Sequence, residues 1–191
     1  MIAIRRARAA DAEAVGAATV AAWRSAYPGI LPAAYLAAMS PRRQAAIWRA
    51  TILDGGLGHA TFVAVASGED AATGPWQLPQ VVGFASGGRL RGGARDEGEI
   101  ETLYVLDDYR DRGLGRRLMR ASAAHLNAIG CRSVRLWVLR DNPSRWFYLH
   151  LGGRLVAEQQ ISVGGQPLVQ QAMRWDPIGV LLAATAPKVG G

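Results

Sequence analysis

The stretch from Gly98 to Ile129, GEIETLYVLDDYRDRGLGRRLMRASAAHLNAI, constrains the chain most. Ile100, Leu103, Tyr104 and Val105 give its first part the β-branched, aromatic and aliphatic character of a strand. Asp107-Asp108 break that strand. A basic, glycine-rich turn follows, Arg110-Asp111-Arg112-Gly113-Leu114-Gly115. Leu114, Leu118, Ala121, Ser122, Leu126 and Ile129 then recur at helical spacing. Gly130 stands where a left-handed cap would end the helix.

The turn suits a phosphate. The first turn of a helix presents unpaired N–H groups and the positive end of the dipole. Gly113 and Gly115 lack a Cβ, so a bulky anion can approach the backbone. Arg112, Arg116 and Arg117 add charge, and a guanidinium matches phosphate geometry better than an ammonium does. The competing reading is a tight strand-to-helix turn with solvated arginines. A Walker loop is absent, the only lysine is Lys188, and the turn's lone Gly113-x-Gly115 is no dinucleotide fingerprint.

Arg110-x-x-Gly113-x-Gly115, preceded by Glu99-Ile-Glu-Thr-Leu-Tyr-Val105, resembles the coenzyme A signature of the GNAT N-acetyltransferases. A second segment, Asn142-Pro-Ser-Arg-Trp-Phe-Tyr148-Leu-His-Leu-Gly152, resembles another motif of that family. The resemblance spans Ile2 to Trp175. It implies acetyl-CoA as acyl donor without a metal, and an amine of a small molecule or peptide as acceptor. A homodimer is common in the family.

Composition sets the outer bounds. One domain is the natural expectation for 191 residues, here residues 1–176 with a loosely held Ala/Pro/Gly tail over 177–191. Half the residues are hydrophobic and 19% are charged, which excludes a disordered chain. A net charge of +7 favours an anionic partner. The arginines form no dense block interleaved with aromatics, so nucleic acid is a weak reading. Cys131 is the only cysteine, and His59, His125 and His150 have no metal-ligand spacing. Neither a signal-peptide core nor a run of membrane-spanning length is present, so the chain reads as cytoplasmic with no membrane partner.

In order, the pattern predicts a strand at Ile2 to Arg5 and a helix capped by Asp11 and stopped at Pro28-Gly29. A short helix follows Pro32, then one opened by Ser40-Pro41 with Ile47, Trp48 and Ile52 on its apolar side. Strands at Ala60–Ala66 and Val81–Ser86 flank a loop from Ser67 to Gln80. Gly87 to Gly98 reads as an exposed connection. After the central strand and helix come a strand at Val134–Leu139, a short helix through Leu149, and a hairpin around Gly164-Gly165. This order describes an α/β (α+β) mixed, mostly antiparallel sheet of six to seven strands with helices on both faces, as in the GNAT fold.

The chemistry is sought beside the central turn. Strand alternation puts Glu99, Glu101, Leu103 and Val105 on one face. Two carboxylates there either reach solvent beside arginines or serve a base. An alkylamine titrates at about 10.4, so it must lose a proton to attack at neutral pH, and a carboxylate, directly or through water, can take it. The resemblance assigns that role to Glu99, with Glu101 the competitor. It gives backbone groups of Leu103, Tyr104 and Val105 to the pantetheine arm, and Arg110 to Arg116 (Asp111, Arg112, Gly113, Leu114 and Gly115 included) to the cofactor, with Arg112 to Arg116 holding the pyrophosphate. Asn142 is either a helix cap or a pantetheine contact. Tyr148 is either core or the acid that protonates the leaving thiolate. Trp23 and Tyr27 either line the acceptor pocket or pack the helices. A coenzyme-A-binding regulatory module without turnover, and a basic interaction protein without a small ligand, are the alternatives to an enzyme.

Overall fold

A computed structural model describes residues 1–70 and 79–187. Residues 71–78, most of the expected loop between Ser67 and Gln80, and 188–191, the end of the tail, lie outside the described residues. The strands are β1 (Ile2–Arg6), β2 (Ala60–Ala66), β3 (Gln80–Arg89), β4 (Glu97–Val105), β5 (Ser133–Leu139), β6 (Arg154–Val163) and β7 (Gln166–Trp175). The helices are α1 (Ala12–Ala26), α2 (Ala33–Ala38), α3 (Pro41–Asp54), α4 (Leu114–Ala128), α5 (Arg145–His150) and α6 (Gly179–Ala184). The strands form one sheet in the order β1-β2-β3-β4-β5-β7-β6. Among the described strands only β4 and β5 pair in parallel.

Helices cover both faces, as the element order requires. On one face Val15 and Ala18 of α1 and Trp48 of α3 pack on Val63 and Phe84. On the other, Leu114, Leu118, Met119 and Leu126 of α4 are buried against the sheet. Each fully buried side chain of this kind stabilises the fold by roughly 1.5–3 kcal/mol before conformational entropy is charged against it. Ser40 caps α3 as expected, accepting from Arg43 N. Ile47, expected on the apolar side of α3, is half exposed. Asp11 does not cap α1. Its carboxylate accepts from Arg8 N and from two nitrogens of Arg5, and the Arg5 guanidinium holds it below the usual carboxylate range.

Two segments differ from the sequence reading. Gly87 to Gly98 is strand at both ends: β3 runs to Arg89 and β4 starts at Glu97, which shortens the exposed connection to residues 90–96. Glycines hid this strand, because they permit close backbone approach; a Cβ on Gly87 would stand 2.4 Å from Glu99 O. The tail holds α6, with Ile178, Leu181 and Thr185 buried against the α4 side. Arg120 of α4 donates to Leu182 O and Arg116 to Ala186 O, fastening it. Composition masked one amphipathic turn. No helix among the described residues is long and apolar enough to cross a membrane.

Candidate active site

The decisive feature is a divergence of two neighbouring strands. β4 and β5 pair only at Glu97↔Ser133, Gly98↔Val134 and Glu99↔Arg135. Both continue, β4 to Val105 and β5 to Leu139, but they are no longer bonded to each other. Beyond Glu99, alternate backbone groups of β4 therefore face an opening instead of a ladder partner. A cleft of about 580 Å³ fills the gap and is walled by both strands, α1, α5 and the start of α4.

A β-bulge sets what β4 shows to this cleft. Ser86 pairs with Thr102 but Gly87 pairs with Ile100, so Glu101 is the extra residue. The bulge flips the alternation. Ile100 packs with Met119 and Leu126, and so do Leu103 and Val105 with the α4 side, despite their odd spacing. Glu101, Thr102 and Tyr104 lie on the α1 side with Trp23. The expectation that Glu101 shares a face with Leu103 and Val105 is therefore corrected.

The two carboxylates part company here. Glu99 sits where β4 and β5 are still zipped, takes Arg135 at 3.1 Å, and lines no part of the cleft. Glu101 lines the cleft. Its Oε2 lies 3.2 Å from His59 Nε2. The His59 contact holds the Glu101 carboxyl below its ordinary range; burial opposes this, and Arg91 adds a smaller pull downward.

Tyrosines crowd the middle of the cleft. The Tyr27 and Tyr104 hydroxyls are 3.3 Å apart, and Trp23 packs edge-on against Tyr27 at 5.0 Å. Burial raises the Tyr104 hydroxyl well above its ordinary pKa, with Tyr27 adding to the effect. Burial also raises Tyr27, against the nearby Tyr104 hydroxyl and Asn142 side chain. Tyr148 is also pushed up, by burial first and Tyr27 second, so it is protonated across the neutral range. Its hydroxyl makes no hydrogen bond among the described residues. Gly153 places its ring. A Cβ there would clash with Trp175, whose indole donates to Leu151 O and packs edge-on to Tyr148 at 6.4 Å. Asn142 is buried and its Oδ1 accepts from Ser144 N at 2.8 Å, which turns the chain into α5.

At the other end the turn before α4 forms a cradle. Asp111 and Gly113 adopt left-handed backbone, φ 58° and 71°. Among the described residues the N–H groups of Asp111, Arg112 and Gly113 donate to no protein acceptor. A Cβ on Gly113 would meet nothing within 4 Å, so open space lies before it. Successive N–H groups in such a turn at a helix N-terminus make an anion-binding concavity. Arg110, Asp111, Gly113, Leu114, Gly115 and Arg116 line the cleft. Arg112 does not: it stacks over Tyr109 and reaches Asp70 at 3.6 Å.

The profile of the Acetyltransferase (GNAT) family matches residues 21–152, which include the cradle, the diverging strand β4 and α5. The chain belongs to this family. GNAT relatives agree along its length. The chain is 29% identical over 182 residues, 95% of its length and 96% of the relative's, to YuaI of Bacillus subtilis (strain 168), an uncharacterized N-acetyltransferase. Its fold is similar to that of the PaiA N-acetyltransferase of Thermoplasma acidophilum, solved with coenzyme A (TM-score 0.64, 18% identity, 90% of this chain and 98% of that one). It is also similar to yncA of Salmonella typhimurium, solved with acetyl-CoA (TM-score 0.65, 21% identity, 100% and 99%). NAA60 of Arabidopsis thaliana, solved with a bisubstrate analogue, shares the fold as well (TM-score 0.67, 19% identity, 92% and 99%).

In this GNAT acetyltransferase the cleft gathers Trp23, Tyr27, Glu101, Leu103, Tyr104, Val105, Asn142 and Tyr148 with the cradle, and leaves out Glu99 and Arg112. His59 is the residue that sequence reasoning passed over. It precedes β2, far from Glu101 in the chain, and nothing local marks it. No group of three or more potential metal ligands is found among the described residues.

Proposed function

We propose that this acetyltransferase moves an acetyl group from acetyl-CoA, a substrate here, to a primary amine of a small molecule or peptide, by direct attack with both molecules bound. The divergence of β4 from β5 carries the reading, because it alone leaves strand backbone facing a cleft that ends at an anion cradle. The cradle suits the pyrophosphate, and the β4 backbone left open on its β5 side over Leu103, Tyr104 and Val105 suits the amide-bearing pantetheine arm. The thioester supplies an activated carbonyl. Neighbouring folds solved with coenzyme A and acetyl-CoA support this donor.

Glu101 accepts the amine proton, directly or through water, as the nitrogen bonds to the carbonyl carbon. An N–H of β4 in the opening stabilises the developing oxyanion. The carbon–sulfur bond then breaks and Tyr148 gives its proton to the sulfur. Its raised pKa does not disqualify it, since the burial that raises a phenol also raises a thiol leaving into the same cleft. Glu101 replaces Glu99 as the assigned base because only Glu101 faces the reaction space.

Calorimetric titration with acetyl-CoA tests the donor. Micromolar binding is expected, with much weaker binding of adenosine diphosphate, which lacks the pantetheine arm. Equal affinity for both would remove the strand opening from the reading. Tyr148→Phe tests the acid. Its hydroxyl supports no hydrogen bond among the described residues, so the fold should stand. Turnover should fall ~100-fold or more while the acetyl-CoA dissociation constant stays within about twofold. Unchanged turnover would show that another group protonates the sulfur.

A further inference from the structure

A second hollow of about 210 Å³ lies between α1, α3 and the β3–β4 pair. It shares Trp23, Glu101, Thr102 and Tyr104 with the main cleft, so the two spaces meet at Glu101. Its remaining walls include Gln44, Thr51, Ser86 and Trp48. The polar groups here are uncharged. Ser86 and Thr102 bond each other at 2.8 Å, and Thr51 bonds Ile47 O at 3.0 Å. The Gln44 amide has no hydrogen-bond partner among the described residues.

Charge is distributed unevenly over the combined space. Arg110, Asp111 and Arg116 all sit at the cradle end. Elsewhere, Glu101 is the one acidic or basic side chain among the described residues lining either hollow. Most of the nearby cations are committed, and Arg91 is exposed and lines neither hollow. Arg24 donates to the carbonyls of Leu36, Ala37 and Met39. Arg135 is paired with Glu99. His59 contacts Glu101 itself, and Arg91 acts on Glu101 only through its field. A carboxylate or phosphate on the acceptor would thus enter a half-buried space walled by no guanidinium, beside an anion. Burying an unpaired charge in that way is strongly unfavourable. A protonated amine with an uncharged body would meet Glu101, aromatic faces and the free Gln44 amide.

We infer that the acceptor is a primary amine whose body carries no carboxylate or phosphate near the amine, and that its uncharged, hydrogen-bonding portion occupies the hollow beside Gln44. The inference rests on the proposed reading of the cleft, since it takes Glu101 as the group that meets the amine. It narrows that reading by excluding free amino acids as good acceptors.

The test uses matched amines with and without the α-carboxylate: tyramine and tyrosine, histamine and histidine, leucinamide and leucine. Each is assayed with acetyl-CoA by thiol release, and acetylated products are confirmed by mass. The carboxylate-free member should be preferred by about 100-fold or more in kcat/KM. Gln44→Arg, which puts a cation in the hollow, should narrow that ratio mainly through a lower KM for the carboxylated member. Equal or better acetylation of the amino acids would overturn the inference and leave the acetyltransferase reading intact. So would a ratio that ignores Gln44→Arg, because the hollow would then take no part in recognition. Acetylation of neither member of any pair by protein that binds acetyl-CoA would overturn it too. Failure to bind acetyl-CoA at all would instead strike the underlying reading.

Discussion

Gly113→Glu is expected to abolish acetyl-CoA binding, with a loss of more than about 100-fold in affinity by calorimetry. Gly113 combines three properties that no other residue type supplies together. Its φ of 71° is left-handed, it opens α4, and the space before its missing Cβ is empty. A glutamate there would fill that space with a carboxylate beside N–H groups that would otherwise meet phosphate oxygens. Both bulk and charge would oppose the ligand. Strain from the left-handed backbone costs about 1 kcal/mol, and no neighbour is displaced, so the fold should survive. Gly113→Ala separates the causes. It carries the same backbone strain without the charge or the reach, and should weaken binding only several-fold. If Gly113→Glu binds acetyl-CoA like the parent protein, the phosphates lie elsewhere and the cradle is only a turn.

The contrast between Gly113 and Glu101 shows what the sequence can and cannot carry. The cradle was legible because its causes are local: two glycines, a break after a strand, and an apolar period that starts a helix. The seven strands and the main helices were legible for the same reason, and even the α5 turn announced itself through Asn142-Pro143. The facing of Glu101 was not legible. It depends on a bulge made with Gly87 on another strand, and strict alternation placed the carboxylate with the wrong neighbours. His59 was invisible because its contact with Glu101 joins residues 42 positions apart. Arg112 read as a phosphate ligand by position, yet it lines no part of the cleft and is engaged by Asp70 and the Tyr109 ring. The helix in the tail was hidden by composition, since Ile178 and Leu181 are its main anchors in an Ala-rich segment. The family resemblance gave the backbone of Leu103 to Val105 to the cofactor, but nothing local announced the strand divergence that opens it. No residue in β4 or β5 dictates where a ladder stops.

Glu101→Gln should lower kcat/KM by about 10²–10⁴-fold, whereas Glu99→Gln should stay within about threefold of the parent enzyme. The pair is discriminating because both residues are carboxylates on one strand, and only geometry separates them. Glu99 faces Arg135 where the strands are paired; Glu101 faces the cleft where they have parted. A large loss from Glu99→Gln with none from Glu101→Gln would reverse the assignment. His59 gives the same claim a second readout. Its contact lowers the Glu101 pKa, so the carboxylate stays ionised, and competent as a base, to lower pH. The acid limb of the kcat profile, where activity is lost as the base becomes protonated, therefore lies on the low side for a glutamate. Removing His59 takes away the largest downward influence, and His59→Ala should move that limb to higher pH. A purely structural role for His59 would reduce kcat evenly at every pH. In Glu101→Gln the limb should vanish, because the group that titrates is gone. Persistence of the limb at the same pH in Glu101→Gln would assign it to another group and end the case for Glu101 as the base.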